Sequence, residues 1–498
     1  MKAREHRAIG DAATGAAEVH LGVESTDGKL TLSFGDVVAL SGDYFVPDSS
    51  PVLEVQEADS GPEALASGGL FGLAAVSGER GTRLGSRDEI VCALHVMASD
   101  ESLVDPRFEP GGHFAEFEFS PTASETDVER RVRDRYLALG ASNDDHFVVP
   151  GRRGGATAHD RADARFGSAL TAYRSLHEAA LEEAHRLGRG GGDLSQAMPR
   201  EAAAQHYLTD AFASGHLRTP VAAIREFWQS RYPGFWESLQ RKVASDTASV
   251  LRELAGPLRL LSARAIYDRT LSAVRTRTRG YPRVSLGDLL AKVFHDWDNS
   301  HGLRLEGGGV LFGDGSLDEG VTRDLVLAAV RAGIDDIEVA FALGASGKHL
   351  GGQPLYGAVR AATGAPADTF WPETKIPRLS PDNPPQNWQA ADVGSLWDSP
   401  IVGSTGTTVG QAVTAALEAG EELPRRLDCL GHGIVDTLGL PPLPGLRQWI
   451  SGKACQAYHA GFMHKLVHDS KATVFTVVEG AAPRAVAASA TSQAVADR

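Results

Sequence analysis

His206-Tyr-Leu-Thr-Asp210-Ala-Phe-Ala-Ser-Gly-His216 places a histidine, a carboxylate four residues on, and a second histidine just past a glycine. At 3.6 residues per turn, His206 and Asp210 fall one turn apart on the same helix face, close enough to hold a single ion. Continued as regular helix, His216 would leave that face, and Gly215 offers the break that swings its imidazole back. Upstream, Ala202 to Ala204 favour helix. Downstream, Thr219-Pro220 reads as the N-cap and first position of the next helix. The stretch therefore predicts a helical protein that presents metal ligands from its helices.

Working outward, helical spacing of apolar residues dominates from about 125 to 345, with helices expected over 127–140, 160–188, 199–214, 221–254, 258–278, 286–300 and 319–343. The amino-terminal part reads differently. Val19, Leu21 and Val23 alternate, Asp27-Gly28 turns, and Leu30, Leu32 and Phe34 alternate back, which is a hairpin pattern. Ile90 to Met97 and His113 to Phe119 read as short strands. The expected fold is mainly α, a multi-helix bundle with a small β-containing insertion over 18–120. Residues 1–345 are taken as the metal-site domain and 365–400, rich in proline and carrying Trp371, Trp388 and Trp397, as an ordered linker. A helical region over 401–479 and a disordered Ala/Ser-rich tail over 480–498 complete the expectation.

The net charge of −15 argues against a duplex-DNA binder, which needs a basic footprint. Three cysteines, Cys92, Cys429 and Cys455, are too few and too scattered for a disulfide framework or a CxxC site. The amino end has no apolar h-region and no run reaches membrane-spanning length, so the expectation is a cytoplasmic protein as synthesised, any export being non-classical.

Two further clusters carry candidate ligands. In His295-Asp-Trp-Asp-Asn299, Asn299 lies four residues and Asp298 three residues from the histidine, so either could share an ion with it. In Asn143-Asp-Asp-His146, the histidine follows an amphipathic segment. His177 reads as a packed core histidine. Other motifs fail on inspection: Gly344-Ala-Ser-Gly347-Lys348-His349 lacks the first glycine and the hydroxyl of a phosphate loop, His464 and His468 have zincin spacing without its glutamate, and there is no GxSxG elbow. The arginines between Arg264 and Arg283 read as a solvated helix face.

The central His-x3-Asp-x5-His motif resembles that of the zinc-dependent phospholipase C and single-strand nuclease superfamily. The resemblance covers roughly residues 1–345. It implies a mostly helical fold with up to three zinc ions in a cleft, held by an N-terminal amine and by ligands in a set order along the chain. Carried over residue by residue, it implies His6 as the early histidine, Asp43 as the aspartate, and His146 as the next histidine. His206, Asp210 and His216 follow, then His295 with Asn299 in the acidic position. Where the family offers a processed tryptophan amine this chain begins Met1-Lys2, and where it has an acid four residues past the last histidine this chain has Asn299.

The implied activity is phosphodiester hydrolysis by a metal-activated water with one to three zinc ions. Asp210 would bridge ions and Asp43 orient the water. A phospholipid headgroup is favoured over a nucleotide by the acidic charge and the lack of a basic-aromatic groove. Two alternatives stay open: single-strand nuclease-like activity, and a non-catalytic helical scaffold or delivered cargo protein stabilised by zinc.

Overall fold

Helix α1 (Ala3–Thr14) opens the chain and a hairpin of β1 (Glu18–Gly22) and β2 (Lys29–Ser33) follows it, with Val19 paired to Leu32 and Leu21 to Leu30. The computed structural model describes residues 1–22, 29–44, 87–100, 107, 132, 136, 146–148, 169–254, 262–277, 283–347, 350, 352–364, 378–418, 449, 452–454 and 456–481. The hairpin turn at Asp27-Gly28, the expected strand at 113–119, Trp371 and the tail beyond 481 lie outside these residues.

Strand β2 runs directly into α2 (Phe34–Asp43). Ser33 starts that helix with a capping box: its hydroxyl accepts the Asp36 amide at 3.1 Å, and the Asp36 carboxylate accepts the Ser33 amide at 3.0 Å. Ile90 to Met97 belongs to helix α3 (Arg87–Asp100), which corrects the strand expectation. Asp88 and Glu89 occupy its first turn, where the helix dipole favours acids. Ile90, Leu94 and Met97 are buried at helical spacing. A short apolar run of this length satisfies either period, and its flanks decide the outcome.

Next come α4 (Ala169–Gly190), α5 (Ala197–Asp210) and α6 (Ser214–Arg218), followed by α7 (Val221–Arg231) and α8 (Phe235–Leu254). The single span expected over 221–254 is thus two helices, divided at Pro233, whose ring cannot continue a helix interior. After these lie α9 (Ala263–Arg277), α10 (Leu286–His301), the β3–β4 hairpin (Leu303–Arg304 with Val310–Leu311), α11 (Thr322–Ala345) and α12 (Leu355–Thr363). The chain continues through α13 (Val393–Trp397), α14 (Val409–Glu418), a π-helical segment (His459–Met463), α15 (His464–His468) and α16 (Ser470–Ala481). Among the described residues the protein is mainly α, with two small two-stranded sheets. None of its helices is long and apolar enough to cross a membrane.

The chain divides into two units. One, residues 1–222 and 295–385, packs α5 against α2, α4 and α11, while α1 lies on α2 and α11. Ile9, Phe34, Val37, Val38, Tyr207, Leu208, Val326 and Val330 form its core. Helix α5 is buried almost throughout. Ala202, Ala203 and Ala204 let the neighbouring helices approach, so the polar side chains of α5 are also taken out of water. The other unit, residues 223–294 and 386–498, centres on α8 against α9 and α16. There Trp228 Nε1 donates to the Trp388 carbonyl at 3.1 Å, and Trp397 is buried.

His177, on α4, is the core residue the spacing suggested, but it is a charged one. Its Nδ1 donates to Glu201 at 2.7 Å and its Nε2 lies 3.7 Å from Asp336, which is 3.6 Å from Arg360. All four side chains are fully buried. Burial alone would lower the imidazole pKa, but Glu201 and Asp336 outweigh it and raise the value to about 9. A folded pKa above the unfolded value means the stabilisation is complete below about pH 6.5 and is lost as pH rises through about 9. The urea midpoint should therefore fall between about pH 6.5 and 10, by the equivalent of roughly 3 kcal/mol. A His177→Gln protein should lack that component; equal slopes in the two proteins would contradict the assignment.

Candidate metal centre

Helix α5 carries His206 and Asp210 on one buried face, as their spacing predicts. The break after Asp210 comes earlier than expected, at Ala211–Ala213, and α6 begins at Ser214. Gly215 does not supply the break. It lies within α6, where a Cβ would come within 2.6 Å of the His295 ring and 2.7 Å of Asn299 Oδ1, so glycine is what lets α6 sit against this end of α10. His216, one residue on, is thereby pressed against the end of α10. That helix starts with its own capping box, Ser285 and Asp288 exchanging amide bonds of 2.7 and 3.1 Å, and it carries His295.

Asp210 is the hub. Its Oδ2 lies 2.8 Å from His146 Nδ1 and 3.4 Å from His206 Nε2. Its Oδ1 is 3.4 Å from both His6 Nε2 and His216 Nδ1, and it pairs with the amino group of Met1. The rings of His6 and His206 stack with centroids 4.1 Å apart. Asp43 closes α2, and its side chain lies outside the described residues. The structure thus gathers His6, His146, His206 and His216 about one carboxylate.

A second cluster adjoins the first. His295 Nε2 lies 3.3 Å and His216 Nε2 3.7 Å from Oδ2 of Asp314, whose Oδ1 is 3.1 Å from the Met1 amino nitrogen. Asp314 was not among the sequence candidates. It follows β4 in a loop, with no periodicity to flag it, and the hydrogen-bonded turn around it is visible only in three dimensions. Ligand atoms of His6, His206 and Asp210 lie within 4.8 Å of one another, as do those of His216, His295 and Asp314. Either group could hold a cation.

Ring orientation sharpens the chemistry. Nδ1 of His206 donates to the Val38 carbonyl at 2.9 Å, and Nδ1 of His216 donates to the His146 carbonyl at 3.0 Å. His6 Nδ1 donates to Thr209 Oγ1 at 2.6 Å, since that hydroxyl spends its own proton on the carbonyls of Gln205 and His206. His295 Nδ1 donates to Asp296 at 2.9 Å. Each ring is therefore fixed from outside by one nitrogen and turns Nε2 towards a carboxylate, the arrangement that outer hydrogen bonds impose on metal-bound histidines.

Electrostatics agree. Burial, reinforced by His6, holds His206 well below the usual histidine range, and burial with the Met1 ammonium lowers His216 to about 4. Both rings are neutral near pH 7, so their Nε2 lone pairs face carboxylate oxygens, acceptor against acceptor. A cation between them resolves the conflict. Asp210 is buried, which would raise its pKa, but the Met1 ammonium and the histidines hold it well below the usual carboxylate range. Asp314 behaves alike, with the Met1 ammonium and His295 outweighing burial. His295 goes the other way, raised to about 9 because Asp314 and Asp296 outweigh its burial.

Access differs between the clusters. His6, His206 and Asp210 are fully buried, whereas the side chains of His295 and Asp314 are 11% and 17% exposed, so solvent reaches the second cluster. Phe147 stacks on the His216 ring at 4.5 Å and forms an apolar wall beside it. On the far side of α10, Asp298 turns away from the cluster: it pairs with Arg218, accepting from Nε at 2.9 Å, and its carbonyl accepts from Ser214 at 2.8 Å. A scan against protein-family models, a search of curated proteins and a search of solved structures each returned no match.

Proposed function

We propose that this chain is a metal-dependent phosphodiester hydrolase of the zinc-dependent phospholipase C kind. The carrying observation is that neutral His206 and His216, pinned at Nδ1, aim Nε2 at carboxylate oxygens. The resemblance adds support, because His6, His146, His206, Asp210, His216 and His295 are the positions it names and they lie together.

The residues divide the work. His6, His146, His206 and Asp210 form a sealed inner position suited to holding a cation rigidly. His216, His295 and Asp314 form an outer position that substrate can reach. A divalent cation supplies a coordinated water of lowered pKa and offsets charge developing on phosphoryl oxygens. Asp210, touching both histidine sets, fixes the spacing between the positions, and Phe147 keeps bulk water off one side. Zinc fits the imidazole and carboxylate donor set. The acidic surface charge favours a phospholipid headgroup over a nucleotide as the esterified group.

The purified chain with added zinc should hydrolyse bis-p-nitrophenyl phosphate, and His206→Ala should lower kcat/KM by about 10²-fold or more. The full burial of His6, His206 and Asp210 favours a second reading, in which zinc stabilises a non-catalytic scaffold. Tight zinc without turnover, unchanged in His206→Ala, would select that reading. Cleavage of single-stranded nucleic acid but not of phosphatidylcholine would instead select nuclease-like activity.

A further inference from the structure

Asn299 stands where an acidic partner for His295 is expected four residues on, yet its amide is already committed. Its Oδ1 accepts the Gly215 amide at 2.6 Å, with Ser214 Oγ at 3.4 Å, and its nitrogen faces His295 Nε2 at 3.0 Å. The backbone donor at Gly215 fixes which end of the amide is oxygen. That oxygen has a short bond to keep, and the group beside the imidazole is a donor. Neither end suits a cation.

The same residue holds the loop that carries the carboxylate. The Asn299 main-chain carbonyl accepts the Gly313 amide at 3.1 Å, and the Phe312 main-chain carbonyl accepts the Ser214 amide at 3.4 Å. On the other side of Asp314, the buried Glu5 carboxylate accepts the amides of Gly315 and Leu317, each at 3.0 Å. Three backbone amides around Asp314 are therefore anchored: that of residue 313 to the backbone of Asn299, and those of residues 315 and 317 to the side chain of Glu5, some three hundred residues away. This fixes Asp314 with Oδ2 beside both His216 and His295.

We propose that Asp314 is the anionic ligand of the outer ion position, and that Glu5, which braces its loop, and Asn299, whose amide braces Gly215 beside His216, are positioning residues. The proposal rests on the metal-dependent reading above and names the residue that completes its outer site. A carboxylate is the stronger ligand for a divalent cation than a neutral amide. Moving the acid from α10 to the loop frees position 299 to tie α6, α10 and the loop together.

The test uses the full chain and zinc alone. Asp314→Asn, isosteric and partly solvent-exposed, should lose one equivalent of bound zinc, whereas Asn299→Ala should still bind the native number of equivalents, with the outer one held more weakly because a brace and not a ligand is lost. Zinc-grown crystals of the native chain give a readout independent of variant folding. Anomalous density should place an ion within about 2.0–2.2 Å of an Asp314 oxygen and outside that range from Asn299 Oδ1. An Asn299 oxygen in the coordination shell, or zinc loss in Asn299→Ala with none in Asp314→Asn, would overturn the assignment while leaving the metal reading intact. A native chain that takes up no zinc would overturn both.

Discussion

Gly42→Ala should abolish zinc binding at the inner position and lower the unfolding temperature by several degrees. Gly42 lies in the last turn of α2, buried against α5, and a Cβ there would overlap the His206 imidazole at Nε2. The ring cannot simply rotate away, because Nδ1 is held by the Val38 carbonyl of the same helix α2. Either α2 shifts from α5 or the His206 bond breaks. Inserting one methyl into a close-packed core costs about 1–3 kcal/mol, and here the atom displaced is the proposed ligand. Zinc content and thermal unfolding of the variant check this directly. Native zinc uptake with an unchanged melt would mean that the α2–α5 contact is looser than the packing implies.

Asp210→Asn should have the larger effect. The variant keeps the shape of the side chain and removes its charge, yet His6, His146, His206, His216 and the Met1 amino group all converge on that carboxylate. An amide offers one acceptor oxygen and turns an NH2 towards rings that were facing an anion. Removing one partner from a buried charged cluster costs about 3–5 kcal/mol. Because Asp210 touches histidines of both positions, both ions should weaken together, and phosphodiester hydrolysis should fall by about 10³-fold or more. Calorimetric zinc titration beside a bis-p-nitrophenyl phosphate assay measures each part. Loss of stability with native zinc affinity would make Asp210 a structural ion-pair partner only.

The sequence made the helices legible wherever apolar spacing was long and regular, as in α4, α10 and α11. It misplaced Ile90–Met97 because eight apolar-rich residues cannot choose between periods on their own. Pro233 ends α7 within the 221–254 span because its ring outweighs the apolar spacing that continues on both sides of it. At the site, His206 and Asp210 were legible because one helical turn fixes their geometry locally. His146, His216 and His295 needed the fold, and only the resemblance pointed to His6. Asp314 carried no local signal. Its position is set by Glu5, some three hundred residues away, and by the Asn299 carbonyl. Asn299 shows the converse limit: the spacing marked the residue, whereas its hydrogen bonds to Gly215 and the Gly313 loop define its work.

The most direct measurement is the zinc content of the native chain after dialysis against a weak chelator, by plasma mass spectrometry. Two or more equivalents per chain are expected, falling to less than one in Asp210→Asn. A native chain that retains none, and gains no thermal stability when zinc is restored, would contradict the metal centre itself.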